Sequence, residues 1–493
     1  MNIKRLLGET IIYGIGAILP RVITFLLNPL YINYIDKEAF AIFTSLYAWI
    51  AFINIVLTFG FETSYFRFSG EDKTGAAEKN VFSTAFWFIA MLAGGFLVMV
   101  LLFSNPLSIL MDYGNHPEFL RWFAWIAFFD AICTIPFAWL RYHNQPVKYS
   151  VVRVVSILIQ TVVVIALFRF VPIEAAKSFG LTEQVAYPFF ANLVASLATF
   201  MMLFPIIKKV RLHFDKALFK RMIRYSYPVM LAGLAFMVNE NFDKIIQYYM
   251  IDKGDAGAYG GCYKLAVLMT LFVTAYRMGI EPFLFKQMHH ANAKHTYAMM
   301  TEYFALFASV VALGIIANIS WLKRLFITDP SYWTAINIVP IIVIANLCFG
   351  IYYNLSTWYK VTDRTGIGSA ISWLGAGLTI LLHMLFLKQY GFMVSAWVTL
   401  FVYFLMMIVS YALGQHFYPI PYQTKKIVFF LGTLMLFSVI IVSAFQMNFW
   451  LSNTLLLVYI GLIGYSERAL LKRLVKAKAS RLSLNNILIG LSI

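Results

Sequence analysis

Charge is what this sequence has least of. Only 12% of its 493 residues are Asp, Glu, Lys or Arg, where a soluble domain carries roughly 25%. Acidic residues are the scarcer sign, 22 against 39 Lys and Arg, for a formal net charge of +17. Cysteine is nearly absent: Cys133, Cys262 and Cys348 lie far apart in apolar runs. That excludes a disulfide frame or a thiolate metal site and leaves each as a small hydrophobe. No polar stretch is long enough for a soluble domain. The outer breaks, such as Trp321–Trp333, leave no room for the catalytic loop of a membrane glycosyltransferase or polymerase. Gly14-Ile15-Gly16 lacks a third glycine and a preceding strand, so it is not a phosphate loop. His289, His290 and His295 have no carboxylate or thiol beside them and do not read as a metal site. His383 stands alone in an apolar run.

What is present is hydrocarbon. Sixty-one per cent of residues are hydrophobic, 61% by count, and the mean hydropathy is +0.76. Such a chain needs lipid as its solvent. Runs near the about 20 residues that span a bilayer recur along its length. They predict an all-α polytopic protein with spans at 10–35, 39–60, 81–104, 119–140, 148–170, 186–207, 227–251, 258–281, 297–319, 334–356, 367–388, 392–413, 426–446 and 450–466. Pro20, Pro136 and Pro340 are the expected kinks. Lys4 and Arg5 precede the first run and no small-residue cleavage site follows it, so it reads as a retained span rather than a signal peptide.

The cations orient these spans. With the N-terminus inside, 26 Lys and Arg fall in inside segments, and six fall outside: Lys37, Lys177, Lys253, Lys323, Arg324 and Lys388. This is a positive-inside pattern that places both termini in the cytoplasm. The same clustering explains the net charge without nucleic acid. The richest segment, Lys208 to Arg224, suits anionic phospholipid headgroups. The tail beyond Arg468 is basic and then apolar, as expected of a helix lying on the inner leaflet.

A repeat divides the chain. Ile35-Asp36-Lys37 recurs as Ile251-Asp252-Lys253, and Gly60-Phe61-Glu62 with Phe66-Arg67 recurs as Gly279-Ile280-Glu281 with Phe285-Lys286. The two matches sit at corresponding hairpins at nearly one offset, which predicts two six-helix lobes in parallel orientation with a substrate path between them. The expected organisation is an N-lobe over 1–210, a basic linker over 211–226, a C-lobe over 227–418, a helix pair over 419–468 and an amphipathic tail over 469–493.

Gly14-Ile15-Gly16 with Pro20-Arg21, the hairpin Asp36-Lys37-Glu38-Ala39-Phe40, Gly60-Phe61-Glu62, Leu140-Arg141-Tyr142-His143-Asn144-Gln145 and Tyr390-Gly391 are similar to segments of one known group. Through them the chain resembles the multidrug/oligosaccharidyl-lipid/polysaccharide flippase superfamily, and within it the polysaccharide-transporter branch that includes O-antigen flippases. The resemblance spans essentially the whole chain. It implies the 6 + 6 + 2 helix fold, a bacterial inner-membrane location and transport of polyprenyl-linked oligosaccharide by alternating access. It implies no cofactor beyond a coupling proton or sodium ion, and polysaccharide assembly proteins as partners. A cation-coupled drug exporter, a lipid II flippase, a membrane polymerase and an inert scaffold are the alternatives. Related lipid II flippases carry arginines in helices one, two and eight. Arg21 and Arg277 match the first and third, while the second span has no basic residue. Drug exporters often carry a carboxylate in helix one, where this chain has Asn28 and Asn33.

A charge at the centre of a bilayer costs about 2.5–3.5 kcal/mol or more and needs a reason. Arg21 is mid-span with no acid three or four residues away. Arg277 has Glu281 four residues on. With Arg153 and Lys264, these are the candidate substrate-binding cations; Arg153 and Lys264 can also snorkel to an interface. Glu240 and Lys244 are spaced to neutralise each other. Asp243 then becomes the spare carboxylate, with Asp130 as its counterpart in the other lobe. Asp243, Asp130 and Glu240 are the coupling candidates.

Overall fold

Lipid cannot hydrogen-bond a peptide group, so a chain this apolar must satisfy its backbone within each helix. The structure, a computed structural model, describes residues 3–70, 76–114, 116–178, 180–288 and 290–468, and among these no strand occurs. The predicted tail over 469–493 lies outside the described residues.

Fourteen long helices follow in chain order. The first six are α1 (Ile3–Leu26), α2 (Lys37–Thr58), α3 (Ala76–Leu110), α4 (Pro117–Tyr142), α5 (Pro146–Phe170) and α6 (Ala186–Ile207). The second six are α7 (Lys216–Met250), α8 (Lys253–Gln287), α9 (Ala293–Ala317), α10 (Ile338–Leu355), α11 (Thr365–Tyr390) and α12 (Met393–Phe417). The last pair is α13 (Thr424–Ser443) and α14 (Phe449–Ser466). Thirteen membrane-length apolar segments occur among the described residues, and α7 is not one of them. Its second half carries Asn239, Glu240, Asn241, Asp243, Lys244 and Gln247. It is protein, not lipid, that accepts this helix. It packs on α2 and α11, and Asn239, Asp243 and Gln247 are buried. It also starts at Lys216 rather than 227, capped by Asp215, whose carboxylate accepts from the amides of Ala217 and Leu218 at 2.9 and 3.0 Å.

The breaks differ from the predicted kinks. Helices α1 and α4 run on through Pro20 and Pro136, and Pro340 sits in the first turn of α10, where its missing N–H costs nothing. The first span instead breaks at Leu27, before a short helix Asn28–Tyr34 that carries Pro29 in its first turn. Helix α3 bends at Phe103 (φ −109°, ψ 18°), just before Pro106, whose ring crowds the preceding turn.

The repeat is deeper than two sequence matches. Asp36 and Asp252 both cap a following helix, accepting from the amides of Ala39 (2.8 Å) and Asp255 (3.2 Å). Glu62 pairs with Arg141, and Glu281 pairs with Lys360 at 3.2 Å; both partners are displaced by 219 residues. Left-handed Asn144 (φ 50°) and Asp363 (φ 55°) fall at that same offset. So do Tyr113 and Tyr332, both buried. One difference separates the copies. Phe59 (φ 51°) and Gly60 (φ 69°) end α2 and start a short helix Phe61–Ser69, whereas α8 continues through Gly279.

The two lobes, α1–α6 and α7–α12, meet at both ends: towards the basic loops the Ser64 hydroxyl bonds the Ser226 hydroxyl (2.6 Å), and further contacts lie at the end carrying the α1–α2 and α7–α8 hairpins. There Tyr248 donates to the Asp112 carbonyl (2.6 Å) and Lys253 meets the Asp112 carboxylate (2.8 Å). Tyr332 donates to the Ile35 carbonyl (2.7 Å), and Asn28 donates to the Phe326 carbonyl (3.1 Å). Helices α2 and α8 cross so closely that a Cβ on Gly257 would overlap the Lys37 carbonyl. Overpacking costs about 1–3 kcal/mol. Gly257→Ala is therefore expected to lower the thermal-unfolding midpoint by several degrees. Gly279→Ala, in open space on the same helix, should not lower it. Equal midpoints would mean that the crossing is not tight.

Helices α13 and α14 lie against α9. Lys426 binds both Glu302 of α9 (2.7 Å) and Glu467 just after α14, which fastens the pair to the second lobe.

Candidate functional site

Between the lobes lie two chambers. The one towards the basic loops has a volume of about 480 Å³ and is lined by Arg21 of α1, Glu240 of α7, Thr274, Arg277 and Glu281 of α8, and Tyr353 of α10, among others. The one towards the hairpins, about 300 Å³, is lined by Tyr31, Tyr47, Gln160, Tyr263 and Lys264, among others. Glu240, Asn241 and Thr270 belong to both linings, so the chambers meet at the polar stretch of α7.

Arg21 reaches across the lobe boundary, and its Nη1 donates to the Thr274 hydroxyl at 3.4 Å. No carboxylate pairs with it among the described residues. Thr274 is about one turn before Arg277 on α8, and Arg21 and Arg277 line the same chamber. The Arg277 guanidinium lies 4.4 Å from the centre of the Tyr353 ring, and Lys360 Nζ lies 4.0 Å from it. Glu281 is shared by Lys360 (3.2 Å) and, more loosely, by Arg277 (3.9 Å). The pair expected between Arg277 and Glu281 is present, but Lys360 takes the larger share of the carboxylate. Arg277 remains 46% exposed and faces the chamber with donors to spare.

The expected Glu240–Lys244 pair does not form. The Lys244 ammonium turns to the Asp243 carboxylate (3.0 and 3.3 Å) and the Glu240 backbone carbonyl (2.8 Å), and lies 3.8 Å from the Tyr263 ring centre. Asp243 also accepts from the Tyr259 hydroxyl at 2.6 Å. The Glu240 carboxylate is held by the Tyr403 hydroxyl of α12 at 2.5 Å. Geometry decides this: neighbouring residues converge on one ammonium when Tyr403 draws the Glu240 side chain towards α12. Asp243 is the paired acid, and Glu240 is the acid that borders both chambers.

Lys264 lines the hairpin-end chamber, with Nζ 5.7 Å from the Phe43 ring centre. Arg153 and Asp130 line neither chamber. Arg153 stacks on Phe137 at 4.0 Å inside the first lobe, and Asp130 accepts from the Ser196 hydroxyl at 2.8 Å. The structure thus gathers Arg21, Arg277, Lys264 and Glu240 around the chambers, seats Asp243 beside them, and leaves Arg153 and Asp130 apart. Reading the sequence gave Lys244 the wrong partner and missed Tyr353, Lys360 and Tyr403 as parts of this site. The 219-residue offset that relates Glu62 to Glu281 also relates Arg141 to Lys360, and so was a usable signal for Lys360.

A family model described as polysaccharide biosynthesis protein matches residues 6–276, more than half of the chain. The chain belongs to this family. The matched residues include Arg21, Glu240, Asp243 and Lys264 and stop one short of Arg277. No curated protein matches the sequence significantly. Among solved structures, the lipid II flippase MurJ in an inward closed conformation is similar at a TM-score of 0.73 with 16% identity, over 94% of this chain and 100% of that one. An inward-facing multidrug resistance MATE family transporter of the MOP superfamily is similar at 0.63 with 12% identity, over 83% and 97%. A Vibrio cholerae MATE transporter is similar at 0.59 with 15% identity, over 84% and 96%. The family member described here is a multi-pass membrane protein with the fold of these transporters.

Proposed function

We propose that this protein is a flippase that carries polyprenyl-diphosphate-linked oligosaccharide from the inner to the outer leaflet of the bacterial cytoplasmic membrane, for surface polysaccharide assembly. The observation that carries the reading is the pairing of Arg21 and Arg277 in one inter-lobe chamber, with Arg21 lacking any carboxylate partner among the described residues. Planar guanidinium groups suit a diphosphate, whose oxygens they can engage two at a time, and they stay charged throughout. Positive-inside charge sets the basic loops in the cytoplasm. The hairpin end is then outer, and the substrate enters from the inner leaflet. The headgroup meets the arginines, the sugars occupy the chambers, and the polyprenyl tail stays in lipid between the lobes. Rocking of the lobes about this site exposes it to the other side. No bond is made or broken, so this is a transporter rather than an enzyme.

Coupling falls to the α7 carboxylates, with Glu240 best placed because it borders both chambers, and a proton or sodium ion is the coupling particle. The basic segment Lys208 to Arg224 engages anionic phospholipid, and the outer face delivers its cargo to polysaccharide assembly proteins. A drug exporter for organic cations fits less well, because two fixed positive charges stand in the path. Lipid II as cargo lacks a basic residue on α2 beyond Lys37 at its outer end.

Deleting the gene and analysing lipid-linked sugars tests the reading. Intact repeat units should accumulate facing the cytoplasm. Unchanged lipid-linked intermediates together with new drug sensitivity would overturn it in favour of the exporter.

A further inference from the structure

The hairpin-end chamber contains a cation that the diphosphate cannot use. Lys264 and Arg277 lie on the same continuous helix α8, 13 residues apart, which separates their levels by about 20 Å at 1.5 Å per residue. Arg21 bonds to Thr274, three residues from Arg277, and so stays with Arg277. A diphosphate held by these arginines ends far short of Lys264.

No carboxylate among the described residues forms an ion pair with Lys264 either. Among the described residues its ammonium has no ion pair and no hydrogen bond, only the face of Phe43. Of the α7 acids, Asp243 is already occupied by Lys244 and Tyr259 and does not line this chamber. Glu240 is held by Tyr403. An unpaired ammonium at membrane depth is expensive, and it persists where it faces a ligand or a water-filled cavity. Around it the chamber presents the surfaces that sugars use: rings of Tyr31 and Tyr47, and amides of Gln160 and Asn241. The Gln160 amide has no protein partner among the described residues.

Resting on the flippase reading, we propose that the hairpin-end chamber is a subsite for an acidic sugar, and that Lys264 binds a carboxylate carried several rings out from the diphosphate. The substrate is then doubly anchored: guanidinium groups hold the diphosphate at the mouth, and a single mobile ammonium holds a monoanion at the deep end. Lysine fits that role because its three donors rotate to meet a carboxylate whose approach varies with ring pucker.

The test uses purified full-length protein in vesicles and two synthetic polyprenyl-diphosphate trisaccharides that differ only in whether the terminal ring bears a carboxylate. Wild type should flip the acidic compound about tenfold faster than the neutral one, the effect of about 1.4 kcal/mol. Lys264→Met should bring the ratio close to one, while Lys264→Arg should preserve the preference. Thermal unfolding of Lys264→Met reports whether the variant is folded. Equal rates for the two compounds with wild type would overturn the acidic subsite and leave the flippase reading standing, as would a preference retained by folded Lys264→Met. Failure of wild type to flip either compound would overturn the flippase reading, and this inference with it.

Discussion

Replacing Arg21 by alanine is expected to slow flipping about a hundredfold while leaving the amount and thermal stability of membrane-inserted protein unchanged, because a hydrogen bond to a charged group is worth about 1.5–3 kcal/mol. The structural reason for the split is the partner of Arg21. A buried ion pair that loses one member strands the other, at about 3–5 kcal/mol. Among the described residues no carboxylate lies within ion-pair distance of Arg21, whose hydrogen bond goes to the neutral Thr274 hydroxyl, and the Glu240 carboxylate of the same chamber keeps its Tyr403 partner. Arg21→Lys should recover part of the rate, since a point charge replaces a two-pronged donor. The measurements are headgroup flipping in proteoliposomes and unfolding in detergent. Loss of folded protein together with transport would assign Arg21 a structural role, and normal transport by the alanine variant would remove it from the site.

The α7 carboxylates should behave in opposite ways. Asp243→Asn strands the Lys244 ammonium, and is expected to cost about 3–5 kcal/mol of stability, seen as a sharp loss of detergent-stable protein. Replacing Lys244 by Met in the same chain should recover much of that loss, because the pair is then removed whole. Glu240→Gln keeps an acceptor for the Tyr403 hydroxyl, so the fold should survive. What Glu240→Gln should lose is the dependence of transport on an ion gradient. Normal folding of Asp243→Asn alongside gradient-driven transport by Glu240→Gln would overturn both assignments. Spacing along α7 points to the reverse order, with Glu240 tied to Lys244 and Asp243 spare. The i,i+4 rule describes an isolated helix surface, and it fails here because α7 is not isolated: Tyr403 on α12 and Tyr259 on α8 compete for its carboxylates.

That failure marks the general limit of what could be read. Hydropathy located the long apolar helices, because crossing hydrocarbon is decided by each segment's own residues. The repeat was readable where it left a motif, as at Asp36 and Asp252. Its ion-paired form carries no local pattern, because Arg141 and Lys360 sit one helix hairpin away from Glu62 and Glu281, and only the 219-residue offset relates the two pairs. The break at the end of the first span was hidden for a related reason. Helix α1 gives way at Leu27, where Asn28 donates to the Phe326 carbonyl of the other lobe, a long-range contact that no local pattern announces. At the site, depth marked Arg21 and Arg277, and left Arg153 and Lys264 open to snorkelling as well as to a site role. Only packing separates the three that face the chambers from Arg153, which spends its charge on the Phe137 ring.

The polarity of α7 also bears on how the chain is built during synthesis. Insertion of a segment is judged as it leaves the ribosome, and each Asp or Lys near its centre counts about 2.5–3.5 kcal/mol against entry. With Glu240, Asp243 and Lys244 within five residues, α7 fails that judgement by itself. The groups that make it acceptable come later: Tyr259 on α8, the Ser372 carbonyl on α11 that accepts from Asn239, and Tyr403 on α12. The opening helix of the second lobe must therefore be held at the translocon until the closing helices of that lobe emerge.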